Sequence, residues 1–161
     1  MPKWGYSIIN EMLNPEKTAK ASGRELKVSH KAAREVAKAI RGMDLDQAKD
    51  FLRDVIAKAR PVPYTRFTKK LGHKGGMQKC GVGRYPVKCA DAFLRVLQAA
   101  QANAENKGLD VDRLRVMHSA AYPGVKLKRY MPRAHGRASP KFEITTHVEI
   151  VLEEKQSAGE Q

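Results

Sequence analysis

The chain has 161 residues, 31 of them Lys or Arg and 17 Asp or Glu, for a formal charge of +14; 42% are hydrophobic. That length supplies one modest core and argues against a multidomain enzyme, while the regular apolar spacing argues against a wholly disordered chain. A small domain needs only a few net charges to stay dissolved, so the excess points to a polyanionic partner or an anionic surface.

Taken from the N-terminus, Met1 to Ser22 reads as loosely ordered, and MPKWGYSII lacks the long apolar stretch of a secretory signal. A short strand is expected near Glu25 to Val28. Residues 30–41 put Ala33, Val36, Ala37 and Ile40 on one helical face, with Ser29 as cap and Gly42 as stop. Asp44 is the expected cap of a second helix, with Gln47 at the capping-box position. Leu45, Ala48, Phe51, Leu52, Val55 and Ile56 form its apolar stripe, which ends before Pro61. A third helix is predicted from about Pro86 to Lys107, on Ala90, Phe93, Leu94, Leu97, Ala100 and Ala104. After Gly108 the period changes to two. Leu114 and Val116, with Ser119 or Ala120, suit one strand. Ile144, Thr146, Val148, Ile150 and Leu152 alternate with polar residues in another.

These elements predict an α+β fold: three helices packed on a small three-stranded antiparallel sheet, with a long protruding β-hairpin. Residues 1–155 are read as a single RNA-binding domain. It carries a basic insert at 60–88 and a hairpin arm at 112–154 whose tip lies at about 122–142, and 156–161 is read as a flexible tail. Ten residues on each side of the tip would project roughly 30 Å. No run of about 18 apolar residues occurs, so no membrane partner is expected.

The charge is concentrated. Lys58 to Lys88 holds nine bases and no acid, and Tyr122 to Phe142 holds six bases and no acid. The rest of the chain is close to neutral, with sixteen bases against 17 acids. Both basic stretches are rich in Gly and Pro, and they are expected to take their shape only against a polyanion. In the first, the residues assigned to RNA are Arg60, Arg66, Lys69, Lys70, Lys74, Lys79, Arg84 and Lys88. In the second they are Lys126, Lys128, Arg129, Arg133, His135, Arg137 and Lys141. Tyr64, Phe67, Tyr85, Tyr122 and Tyr130 are interleaved with them. Such mixtures suit folded RNA, where phosphates and unstacked bases are both within reach.

Other chemistries find less support. Cys80 and Cys89 are separated by eight intervening residues, wider than structural zinc pairs, and are too few for a disulfide scaffold; reduced thiols of a cytoplasmic protein are expected. No base is identifiable beside either thiol. The run 72–76 (GHKGG) is no Walker loop, though its amides could meet a phosphate. His30, His118 and His147 read as surface or sheet-face residues. Lys31, Arg34, Lys38 and Arg41 line the polar side of the first helix, as on any solvated amphipathic helix, which weakens a DNA-recognition reading. No catalytic residue, cofactor or metal is assigned. A free-standing RNA-binding or RNA-chaperone protein is the alternative to a component of a larger particle.

Three stretches carry a resemblance: VSHKAAREVAKAIRGMDLDQAKDFL at 28–52, FLRVLQAAQANAENKGLDVDRLRV at 93–116 and LKRYMPRAHGRASP at 127–140. Over roughly residues 24–154 the chain resembles the uL22 family of large-subunit ribosomal proteins. The bacterial pattern has a short link in place of residues 60–88, so the long insert and extended N-terminus look like the archaeal and eukaryotic branch; the length, the absence of a long C-terminal tail and the wording of the insert look archaeal. The resemblance implies a globular part near the peptide exit of the large subunit and a hairpin that runs through ribosomal RNA to line the exit tunnel. Implied partners are large-subunit (23S-type) ribosomal RNA, neighbouring ribosomal proteins and, at the tip, a nascent peptide. By motif it carries over Lys128, Arg129, Arg133, Ala134, His135, Gly136 and Arg137, with Gly136 serving a tight turn or a close RNA approach. The contacts of the insert do not carry over from the bacterial form.

Overall fold

Residues 5–8, 13–75, 77 and 81–155 are described by a computed structural model. Lys79, Cys80 and the 156–161 tail lie outside them. The first strand, β1 (Thr18–Leu26), begins inside the stretch expected to be loose and ends before Val28. It escapes propensity because it is built from small residues. Ala19 and Ala21 face the core, and a Cβ on Gly23 would come within 2.9 Å of Val96 in a helix lying across it. Strand formers would not fit that approach.

Helix α1 (His30–Ile40) buries Ala33, Val36, Ala37 and Ile40 as the spacing predicts, and Gly42 follows at φ +83°. Helix α2 (Leu45–Ile56) buries its predicted stripe as far as Val55. Neither expected cap forms. The Ser29 side chain makes no cap bond, and the Asp44 carboxylate is drawn instead to Lys155. Two short strands, β2 (Val62–Pro63) and β3 (Gly83–Arg84), pair at the base of the insert. Helix α3 (Val87–Asn106) follows; in it Val96 is buried while Leu94 is only partly so.

A short 3-10 turn at Val111–Arg113 leads into β4 (Leu114–Leu127). The arm continues through β5 (Tyr130–Pro132) and β6 (Ala138–Pro140) and returns along β7 (Glu143–Glu154). The main sheet has the order β1-β7-β4, all antiparallel, so the last strand in sequence is the central one. Its register runs from Leu114 opposite Glu154 to Leu127 opposite Glu143. A bulge between Val116 and His118 explains why Leu114, Val116 and then Ser119 point inward: one extra residue shifts the alternation. Thus the fold is α+β as expected, with two small two-stranded ribbons, β2–β3 and β5–β6, in addition to the main sheet.

Helix α3 packs on β1 and β7, α1 packs on β4, and α2 packs on α3. Val148, Ile150 and Leu152 supply the sheet side of that core. The opposite face of β7 carries the alternating polar residues, yet Glu149 there is buried. Ser7 covers it, giving both its backbone N–H and its hydroxyl to the carboxylate. His118 Nε2 lies 2.9 Å from the same carboxylate, and the Tyr122 hydroxyl donates to it at 3.2 Å. Burial pushes the Glu149 pKa up, but the Ser7 and His118 hydrogen bonds outweigh it and leave the pKa below its ordinary value.

Candidate nucleic-acid interface

From Tyr122 outward the arm leaves the core. Tyr122 to Phe142 is exposed apart from partial cover at Gly124 and Ser139. The twelve residues from Tyr122 to Arg133 reach about 40 Å at strand rise, somewhat beyond the expected length. Backbone pairing nonetheless persists to the end: the Lys141 N–H donates to the Arg129 carbonyl at 2.6 Å, and the Arg133 N–H to the Arg137 carbonyl at 2.8 Å. His135 and Gly136 sit at φ +57° and +65°, at the centre of a β-turn closed by the Arg137 N–H on the Ala134 carbonyl, within a three-residue loop between the paired Arg133 and Arg137. A Cβ on Gly136 would meet nothing within 4 Å, so it is the backbone conformation, not space, that requires glycine. Half-way along, Gly124 is required for the other reason: its Cβ would come within 2.5 Å of Thr145 Oγ1.

Lys126, Lys128, Arg129, Arg133, His135, Arg137 and Lys141 are all exposed on this arm. Lys128 and Arg129 occupy the break between β4 and β5, and Arg133 and Arg137 flank the turn. Tyr130 and Phe142 meet edge to face at 5.7 Å, and Lys126 Nζ lies 4.3 Å from the Phe142 centroid. Val125, Leu127 and Met131 add exposed apolar area. An isolated ribbon of this kind buries no core of its own.

The insert is less free than its Gly and Pro content predicts. Val62 and Tyr64 are buried in the main core, so its first residues do order themselves by apolar packing. Tyr64, read as interleaved with bases for RNA, is a core residue; burial pushes its hydroxyl up to about 12. The polar side of α1 is not solvated at Glu35, whose side chain is fully buried. Its carboxylate accepts from the Thr65 N–H at 3.0 Å, the Thr65 hydroxyl at 3.1 Å and the Arg66 N–H at 3.2 Å, and pairs with Arg34 at 2.9 Å. Burial raises its pKa, but these donors and the Arg34 charge hold it below the ordinary glutamate value. The insert is thereby pinned against α1.

Pinning creates a groove of about 910 Å³ between the insert and the starts of α1 and α3. Arg66, Lys69, Arg84 and Lys88 of the expected set line it, joined by Lys27 and Lys31, which the sequence reading left out of the site. Among the described residues no Asp or Glu lines it. Phe67 forms part of the wall, with Lys31 Nζ 5.5 Å from its ring centroid. Cys89 forms part of the floor; burial pushes its thiol up to about 11, so it is uncharged at neutral pH. Arg60, Lys70 and Lys74 lie outside the groove: Arg60 stands 5.0 Å from the Phe51 ring, and Lys74 lies 5.7 Å from the Tyr85 ring. Lys27 and Lys31 had one legible signal, their place four residues apart at the entry to α1. Glu35 had none, because only the folded-back insert buries it. Among the described residues no cluster of potential ligands could hold a metal ion.

Known proteins resemble the chain along nearly its whole length. The family described as Ribosomal protein L22p/L17e matches residues 21–153. The large ribosomal subunit protein uL22 of the archaeon Methanocaldococcus jannaschii is 53% identical over 154 residues, covering 96% of this chain and 97% of that protein. The proteins of the same name from Methanopyrus kandleri and Ignicoccus hospitalis are 51% and 50% identical, each across 96% of this chain.

Proposed function

The chain belongs to the uL22 (L22p/L17e) family, and on that premise we propose that it is a structural constituent of the archaeal-type large ribosomal subunit, binding large-subunit ribosomal RNA in the cytoplasm. One observation carries the RNA-binding part: an exposed hairpin arm with six cations, no acid and no core of its own. Such an arm gains little by being free. Its self-repulsion is relieved where phosphates crowd around it, and RNA segments that would otherwise repel can then pack together. The globular part anchors near the peptide exit, beside neighbouring ribosomal proteins. The arm bridges RNA domains during assembly, and its tip lines the exit tunnel within reach of the nascent peptide. The work is neutralisation and positioning, with no catalytic step.

The test is the salt dependence of RNA binding by the full chain and by a variant with Lys128, Arg129, Arg133 and Arg137 replaced by alanine. Each lost phosphate contact should reduce the slope of log K against log salt by about 0.7–0.9. Helical circular dichroism should be unchanged, because all four side chains are exposed. An unaltered slope would remove these residues from the interface.

A further inference from the structure

The groove beneath the insert differs in kind from the arm. The arm is a projecting ribbon, whereas the groove is concave, and its volume is at the upper end of the roughly 300–1,000 Å³ typical of ligand sites. Its six cations gather around an apolar interior, and among the described residues none of the six is ion-paired with a carboxylate. Cations held this close without compensation raise the local potential and draw in an anion. Val28, Ala32, Leu71 and the rings of Phe67 and Tyr85 supply apolar surface between them. The groove is also preformed, because Glu35 fixes the backbone of Thr65 and Arg66 at its wall.

A double helix uses such a site poorly. It offers phosphates along a convex ridge and keeps its base faces inside the stack. An unpaired nucleotide offers both a phosphate for the cationic rim and a flat π face for the aromatic interior. We propose that the groove holds an unpaired segment of RNA, with one base lying on Tyr85 and the flanking phosphates on Lys27, Lys31, Arg66 and Lys88. The inference rests on the RNA-binding reading above, and adds to it the strand state of the RNA and the stacking residue. Lys74 lies over the Tyr85 ring and helps hold its orientation.

The experiment uses the full chain with the four arm substitutions in place, so that the groove dominates binding. Its probes are a short fluorescent RNA single strand and the blunt duplex of the same strand, compared at one moderate salt concentration. The single strand should bind about tenfold or more tightly than the duplex. Tyr85→Leu should weaken single-strand binding by about 5- to 100-fold and leave the duplex unmoved, and Tyr85→Trp should restore it. Should Tyr85→Leu disturb folding, the exposed pair Lys31→Gln and Lys88→Gln serves instead, and should lower the salt slope for the single strand alone. Equal affinity for the two probes, or single-strand binding indifferent to both sets of substitutions, overturns the proposal. Failure of the wider reading looks different: the chain with its arm intact would bind neither probe.

Discussion

Glu35 is one carboxylate with a large structural consequence. It sits on the side of α1 opposite Ala33, Val36 and Ile40, where a helix with this pattern normally meets water. Here the insert folds back over it, and three donors from Thr65 and Arg66 together with Arg34 compensate its buried charge. Removing it takes the acceptor from two part-buried, charge-assisted backbone N–H bonds, so Glu35→Ala should cost about 1–3 kcal/mol in urea unfolding. The pH dependence has a definite sign. The folded pKa lies below the ordinary value of 4.5, so the contribution is fully present above that pH and is lost as pH falls through the folded pKa. The difference in urea midpoint between the wild type and Glu35→Gln should therefore be constant above about pH 5 and narrow below about pH 4.5. A difference that stayed the same down to pH 3 would assign the residue no ionic role. No periodicity reveals this residue. Its partners lie thirty residues away, and only a long-range contact distinguishes it from a solvated glutamate.

Helices α1, α2 and α3 and the strand β7 were legible because each has a clean apolar period over more than two turns or several alternations, whereas β4 was legible only at Leu114 and Val116, before its bulge shifts the alternation. Strand β1 was not. Its alternation is carried by alanines and a glycine, which have weak strand preference and owe their place to the close approach of α3. The caps misled because a Ser or Asp before a helix is a local signal, and at Asp44 the Lys155 ammonium competes for the carboxylate. The arm's cations were legible from charge alone, and its turn from the Gly136 motif. The groove was only half legible: four of its cations lie in the insert, but Lys27 and Lys31 join only through the fold. The arm behaves as an element apart from the core, since its residues beyond Tyr122 bury almost nothing. Gly136→Ala forces a side chain into a left-handed backbone at a cost of about 1 kcal/mol. Amide exchange at Arg133 and Arg137 should quicken in that variant while exchange in α3 stays slow, the signature of local opening. Equal acceleration in α3 would mean that arm and core unfold as one unit.

At the scale of the molecule, a nearly neutral scaffold carries two cationic surfaces, and the cost of their charge is borne by long-range pairing. The order β1-β7-β4 means that each outer strand finds its partner strand in the main sheet only in the one made last. Until Glu143–Glu154 emerges from synthesis, β1 and β4 each expose an unpaired edge, and the helices lack the Val148, Ile150 and Leu152 side of their core. A chain ending before residue 143 should therefore be cut by protease within the helical region, where the complete chain resists; comparable resistance would show that the helices fold without the sheet. Synthesis of β7 is thus the step that lets the native sheet form. A copy closes once β7 is made, and a fragment abandoned earlier stays open to degradation before it can occupy a place meant for a folded one.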